Sequence, residues 1–191
     1  MVDGTVPNFA AIQTMVGGAN TYPLLAIPFF IFAGNLMNSS GVTTRIFDFS
    51  NKLVGHIKGG LGHVNVIASI IFAGMSGAAI ADAGGLGTIE IEAMRKGGYN
   101  DKLTIGITAA SSTIGPIIPP SMSAVIYAVV ASTSVGRLFA AGVIPGFLMG
   151  FSLMVLIYFL ADKYNTPIEP KSSLMDILRA SKSAFFALLT P

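Results

Sequence analysis

Residues 61–87 read LGHVNVIASIIFAGMSGAAIADAGGLG. The run is apolar, but its middle, Gly74-Met75-Ser76-Gly77-Ala78-Ala79, is made of small residues that break what would otherwise be one long helix. As a single membrane crossing, this stretch would put the basic residues at 45, 52 and 58 opposite those at 95, 96 and 102. That arrangement opposes the tendency of Lys and Arg to stay cytoplasmic. As a re-entrant hairpin over 61–88, with Ser76-Gly77 at its tip, both basic groups share one side. Residues 103–135 then cross outward, Arg137 lies outside, and 138–161 returns to a cytoplasmic linker, 162–182, that carries Lys163, Lys171, Arg179 and Lys182. The segment 1–21 has no Lys or Arg and is expected outside.

The composition requires such a solvent. Of 191 residues, 10% are charged and 52% hydrophobic, with a mean hydropathy of +0.72. Soluble domains carry about 25% charged residues, so a soluble globular reading is excluded and a bilayer is implied. The formal net charge is only +2, and the basic residues are scattered among apolar runs, which argues against a nucleic-acid partner. The absence of cysteine removes disulfides, thiolate metal sites and cysteine nucleophiles. His56 and His63 suit no common zinc spacing, and no serine has a credible base nearby, so no enzyme is expected. Gly85-Leu86-Gly87-Thr88 imitates a dinucleotide loop but lacks its last glycine and its preceding strand.

The remaining segments read as helices. A transmembrane helix is expected over 22–40, whose core is YPLLAIPFFIFAGNLM at 22–37. Over 43–58, Ile46, Phe49, Leu53 and Ile57 recur at helical spacing, giving an amphipathic helix on the membrane surface or against other helices. A polar loop is the alternative there. Leu103–Ile118 runs into Pro119-Pro120-Ser121, so the element 103–135 must unwind near Gly115 to Ser121. Segment 138–161 is the clearest span, with Pro145 as a kink, and 183–191 turns apolar as if a further span began. Glu90 and Glu92, near Arg95 and Lys96, read as a solvated face.

Broken helices are tolerated at membrane depth only where protein or a water-filled cavity satisfies their backbone groups. The breaks at 74–79 and 111–121 are therefore expected to face each other. Their freed carbonyls and the hydroxyls of Ser76, Ser111, Ser112, Thr113 and Ser121 offer the hard oxygen ligands that Na⁺ takes, and nearby half-helix N-termini offer positive dipole ends to a carboxylate. The alternative is that small residues and hydroxyls only allow close helix packing. Asp82 is the only acid deep within an apolar run, hence a candidate coupling residue, or else a structural one that caps the second hairpin arm or hydrogen-bonds a neighbouring break.

Three motifs in order resemble the large membrane (permease) subunit of TRAP transporters, the tripartite ATP-independent periplasmic systems. They are Tyr22 to Met37, Met75-Ser76-Gly77-Ala78-Ala79-Ile80-Ala81-Asp82-Ala83, and Ile114-Gly115-Pro116-Ile117-Ile118-Pro119-Pro120-Ser121. The resemblance implies an all-α polytopic protein of the ion-transporter superfamily, an elevator-type half with a re-entrant hairpin and a discontinuous helix, in the bacterial inner membrane. It further implies Na⁺-coupled import of organic acids, C4-dicarboxylates or sialic acids, delivered by a periplasmic binding protein, with a small membrane subunit as second partner. Na⁺ is implied as the coupling ion, with no other cofactor. The implied ion-site residues are Ser76, Gly77, Ala78, Ser112, Thr113 and Gly115, and the implied substrate residues are Ser76, Pro116 and Ser121. Such subunits carry two inverted repeats, so the chain reads as a fragment holding the first. A membrane scaffold that does not transport is the alternative function.

Overall fold

The computed structural model describes residues 8–19 and 26–188, and every regular element among them is helical. The chain passes through α1 (Asn8–Ala19), α2 (Ala26–Ser39), α3 (Val42–Val54), α4 (Gly60–Ser76), α5 (Ala79–Ala81), α6 (Gly87–Lys96), α7 (Asp101–Ser112), α8 (Met122–Val130), α9 (Val135–Lys163) and α10 (Leu174–Leu188). A π-helical turn, Asp82–Leu86, joins α5 to α6, so 79–96 forms one arm.

The central helix is α4, which packs against α2, α3, α6, α7 and α9. Glycine sets both of its ends. Gly59 precedes it at φ 77° and Gly77 closes it at φ 59°, left-handed conformations that cost a residue with a Cβ about 1–2 kcal/mol. The Gly77 amide still donates to the Ala73 carbonyl at 3.2 Å, as at many glycine-closed helix ends. Ala78 is extended, and the chain turns back along α4. At the base of this hairpin the Leu61 N–H donates to the Tyr99 hydroxyl at 3.2 Å, and Asn65 Nδ2 lies 3.9 Å from Met94 Sδ. Entry and exit are therefore side by side. Burial raises the Tyr99 phenol above its usual pKa.

Helix α7 starts at Asn100, whose side chain accepts from the Lys102 amide at 2.9 Å. It ends at Ser112, and residues 113–120 make turns that bury Ile114 and Ile118 before α8 begins. Helix α9 contains Pro145 and is the one described helix long and apolar enough to cross a membrane. At 1.5 Å per residue its 29 residues reach about 43 Å. Its glycines admit neighbours closely: a Cβ at Gly150 would stand 2.7 Å from Ile70 Cδ1, and one at Gly146 would run into Ile118. At its far end Asp162 pairs with Lys58, whose ammonium lies 5.0 Å from the Tyr158 ring centroid.

Three expectations change in detail. Residues 22–25 of the expected first span lie outside the described residues, and within it α2 covers Ala26–Ser39. Helix α3 is amphipathic, but it buries Thr43, Ile46, Phe47, Ser50 and Val54. Leu53 is 41% exposed and Ile57 lies beyond the helix, because the face is set by packing against both α4 and α10. In place of a polar linker followed by the start of a span, Leu174–Leu188 forms one amphipathic helix along α3, with Ala184 buried. Residues 189–191 lie outside the described residues.

The geometry of the hairpin base predicts a labelling pattern in the full-length parent protein, with any cysteine outside these 191 residues, which hold none, replaced beforehand. Single cysteines at Lys58 and Lys96 should react with an impermeant maleimide from the same side of the membrane, and one at Arg137 from the other. Reaction of 58 and 96 from opposite sides would exclude the re-entrant arrangement.

Candidate functional site

The two helix breaks meet. The Met122 N–H, at the start of α8, donates to the Gly77 carbonyl at 3.2 Å. Gly77 leaves no room for a side chain, since a Cβ there would strike the Pro120 carbonyl oxygen. Gly115 also faces Ala78, less tightly: its Cβ would lie in ordinary contact, 3.5 Å from the Ala78 carbonyl carbon and 3.6 Å from the oxygen. Ser76-Gly77-Ala78 and the unwound stretch 113–121 thus form one junction of backbone polar groups and small residues.

The expected hydroxyls are used differently around it. Ser76 is 2% exposed and its Oγ has no hydrogen-bond partner. A buried polar atom left open in this way calls for an explanation such as a bound ion or water. Ser112 Oγ donates to the Ala109 carbonyl at 3.0 Å, a bond that uses its proton and not its lone pairs. Thr113 is exposed, bonds the Ala110 carbonyl at 2.6 Å and lines a groove against α9, so its side chain is not brought to the hairpin tip. Ser121 caps α8 by accepting from the Ala124 amide at 3.1 Å while it donates to the Pro116 carbonyl. Ser111 belongs to a separate seam: its Oγ donates to Asn65 Oδ1 at 2.5 Å, and Asn65 Nδ2 donates to Thr108 Oγ1 at 2.8 Å.

A cavity of 490 Å³ opens beside the tip, walled by α2, α5, the π-helical turn and the first residue of α8. Ser76 and Ala78 line it; Pro116 and Ser121 do not. Its polar wall includes Asn35, which the expected site lacked. The signal was a lone amide in the apolar stretch Phe29-Phe30-Ile31-Phe32-Ala33-Gly34-Asn35, next to a glycine. Gly34 brings α2 against the tip, where its Cβ would stand 4.0 Å from that of Ser76.

The acids also depart from expectation. Asp82 makes no capping hydrogen bond; it is 1% exposed and both its oxygens lack partners. Glu90 was expected on a solvated face, yet it is 1% exposed and unpartnered. The reason is register: Leu86, Glu90 and Met94, four residues apart, share the buried face of the arm. Glu92 and Lys96 do form a solvated pair at 2.6 Å, and Lys96 holds the Glu92 carboxyl below the usual range. Among the described residues no group of three or more His, Cys, Asp or Glu side chains could hold a metal ion.

Comparison with known proteins identifies the family of the chain. The family described as "Tripartite ATP-independent periplasmic transporter, DctM component" matches residues 1–191. The chain is 53% identical over 191 residues to the sialic acid TRAP transporter large permease protein SiaM of Vibrio cholerae, covering 100% of this chain and 44% of that protein. It is 44% identical over 168 residues to the C4-dicarboxylate large permease protein DctM of Pseudomonas aeruginosa, covering 88% and 39%. It is 41% identical over 179 residues to the 2,3-diketo-L-gulonate large permease protein YiaN of Escherichia coli, covering 94% and 42%. The chain thus spans less than half the length of these relatives. With the family matched from its first residue to its last, this chain belongs to the DctM component of the tripartite ATP-independent periplasmic transporters.

Proposed function

We propose that this chain supplies an ion- and substrate-binding part of a permease subunit that imports an organic acid together with Na⁺ across the bacterial inner membrane. The observation that carries the reading is the junction of the two breaks, where buried Ser76 Oγ is left without a partner. Backbone carbonyls at Gly77, Ala78 and Ser112 to Gly115, with the Ser76 and Ser112 hydroxyls, supply neutral oxygens of the kind Na⁺ takes in broken-helix transporters. The capped N-terminus of α8 presents a positive dipole end beside them. Sialic acids, C4-dicarboxylates and 2,3-diketo-L-gulonate, the substrates named for the relatives, all carry a carboxylate. Ser76 joins the two functions, because it stands at the junction and also lines the cavity with Asn35. An ion at the junction would draw the tip onto α8 and order the cavity wall.

In this reading a periplasmic binding protein delivers the acid, and a small membrane subunit braces the α3 side while the hairpin moves elevator-fashion between the two faces of the bilayer. Basic residues near the hairpin base, on α3 and after α9 remain cytoplasmic, and the protein is multi-pass.

Uptake by the full-length parent protein, reconstituted with its small subunit and binding protein in liposomes, tests the ion site. Ser76→Ala should raise the Na⁺ concentration for half-maximal uptake about tenfold, within the 1–3 kcal/mol usual for coupled sites. Ser112→Ala should raise it less, because that hydroxyl is already held by the Ala109 carbonyl. Gly115→Val should be worse than either, since its branches would push against Ala78. Unchanged Na⁺ dependence in all three would reduce the junction to a packing contact.

Gly77→Ala tests the tip separately. The left-handed backbone costs alanine about 1–2 kcal/mol, and its methyl would collide with the Pro120 carbonyl oxygen. Uptake should fall at least about tenfold at normal membrane expression. Wild-type rates would show that the tip does not need this close approach.

A further inference from the structure

A second set of open polar groups lies inside the hairpin, away from the tip. Asp82 and Glu90 are each 1% exposed, and none of their four carboxylate oxygens has a hydrogen-bond partner. The two side chains lie close enough to interact electrostatically. Ser69, fully buried on α4, lies near enough to Asp82 to interact with it, and its hydroxyl makes no well-formed hydrogen bond. Gly87 packs on Thr108, where a Cβ would stand 2.8 Å from Thr108 Cγ2. One turn before Thr108 on α7, Thr104 is likewise fully buried with an unpartnered hydroxyl.

Among the described residues no positive group is paired with these acids. The ion pairs at Lys58, Arg95 and Lys96 go to Asp162, Asp101 and Glu92. On α3, which also packs on the π-helical turn, Arg45, Asp48 and Lys52 are exposed while Thr43, Ile46, Phe47 and Ser50 face inward. On α4 the nearest titratable group is His63, at the hairpin base, with Nε2 3.0 Å from the Lys58 carbonyl. On α7 the charged residues are Asp101 and Lys102, both exposed at its start. Two carboxylates in a water-poor interior without a counter-charge are strongly disfavoured.

We propose that Asp82 and Glu90, with the hydroxyls of Ser69 and Thr104, form a monovalent-cation site between the hairpin arms and α7, separate from the junction at the tip. The four carboxylate oxygens and two hydroxyls suit Na⁺ by number and hardness; a proton meets the same need for positive charge. Occupancy would hold the second arm against α4 and α7 and so set the stiffness of the hairpin. The π-helical turn that carries Asp82 lies beside this site and lines the tip cavity through Gly84 and Gly85.

Dicyclohexylcarbodiimide labelling of the wild-type full-length permease complex tests this without a mutation, because the reagent modifies protonated carboxyls in apolar surroundings. Peptide mapping should find label on Asp82 or Glu90 in choline chloride. Protection by added NaCl identifies sodium as the occupant, whereas labelling that falls as pH rises and ignores NaCl identifies the proton. Failure to label either residue, or labelling indifferent to both conditions, overturns the proposal. Thermal unfolding of the same complex supplies a second readout, with Ser76→Ala as the comparison for the tip. Asp82→Asn and Glu90→Gln should each reduce by at least half the NaCl-dependent, or the pH-dependent, rise in Tm. Ser76→Ala should leave this component intact. A wild-type response to both NaCl and pH in the two acid variants also overturns the site, and leaves the reading of the tip untouched.

Discussion

The hydrogen bond from the Met122 amide to the Gly77 carbonyl joins the two interrupted helices, and the other features of the junction depend on it. Breaking a helix frees amides and carbonyls that apolar surroundings cannot satisfy. Here each break answers part of the other's need. The contact is possible only because Gly77 accepts a left-handed backbone and offers no Cβ to the Pro120 carbonyl. One buried hydroxyl, Ser76 Oγ, stays unsatisfied at this junction.

That contact needs a firm frame on either side. Asn65 supplies part of it, tying α4 to α7 through Thr108 and Ser111. These neutral bonds are buried and short, so they resist shear between the first hairpin arm and the broken helix. On the other side, Gly146 and Gly150 let Ile118, Ile70 and Ile114 sit against the α9 backbone. Small residues thus serve two ends here: close packing around the site, and open backbone within it.

The sequence made the hairpin, the discontinuous helix and the meeting of the breaks legible, because each depends on local chemistry. A left-handed glycine at 77 and the paired prolines 119–120 interrupt their helices by local backbone chemistry, and the balance of Lys and Arg favoured one path of the chain over another. The burial of Glu90 was hidden by its neighbours: Glu92, Arg95 and Lys96 suggested a wet face, while the four-residue repeat Leu86-Glu90-Met94 was the better guide. Asn35 was hidden because its role depends on α2 packing against a tip more than forty residues away. The helical character of 174–188 was missed for a related reason, since α10 gains its partner, α3, from a distant part of the chain.

The outer surface places a further constraint on the proposed mechanism. Ile80, at the beginning of the returning arm, is 89% exposed, and Phe29, Ile31 and Phe32 on α2 are exposed near the same cavity. An apolar rim of this kind is unstable against water and calls for lipid or protein cover. Lipid alone would leave the polar wall of the cavity, Asn35 and Ser76, facing hydrocarbon, which is unfavourable for an amide and a hydroxyl. Protein cover removes that conflict by meeting Ile80 and the α2 aromatics with apolar groups while enclosing an aqueous space over Asn35 and Ser76. A binding cavity of the proposed kind therefore needs a second protein wall, one that meets the apolar rim and leaves Asn35 and Ser76 in contact with water.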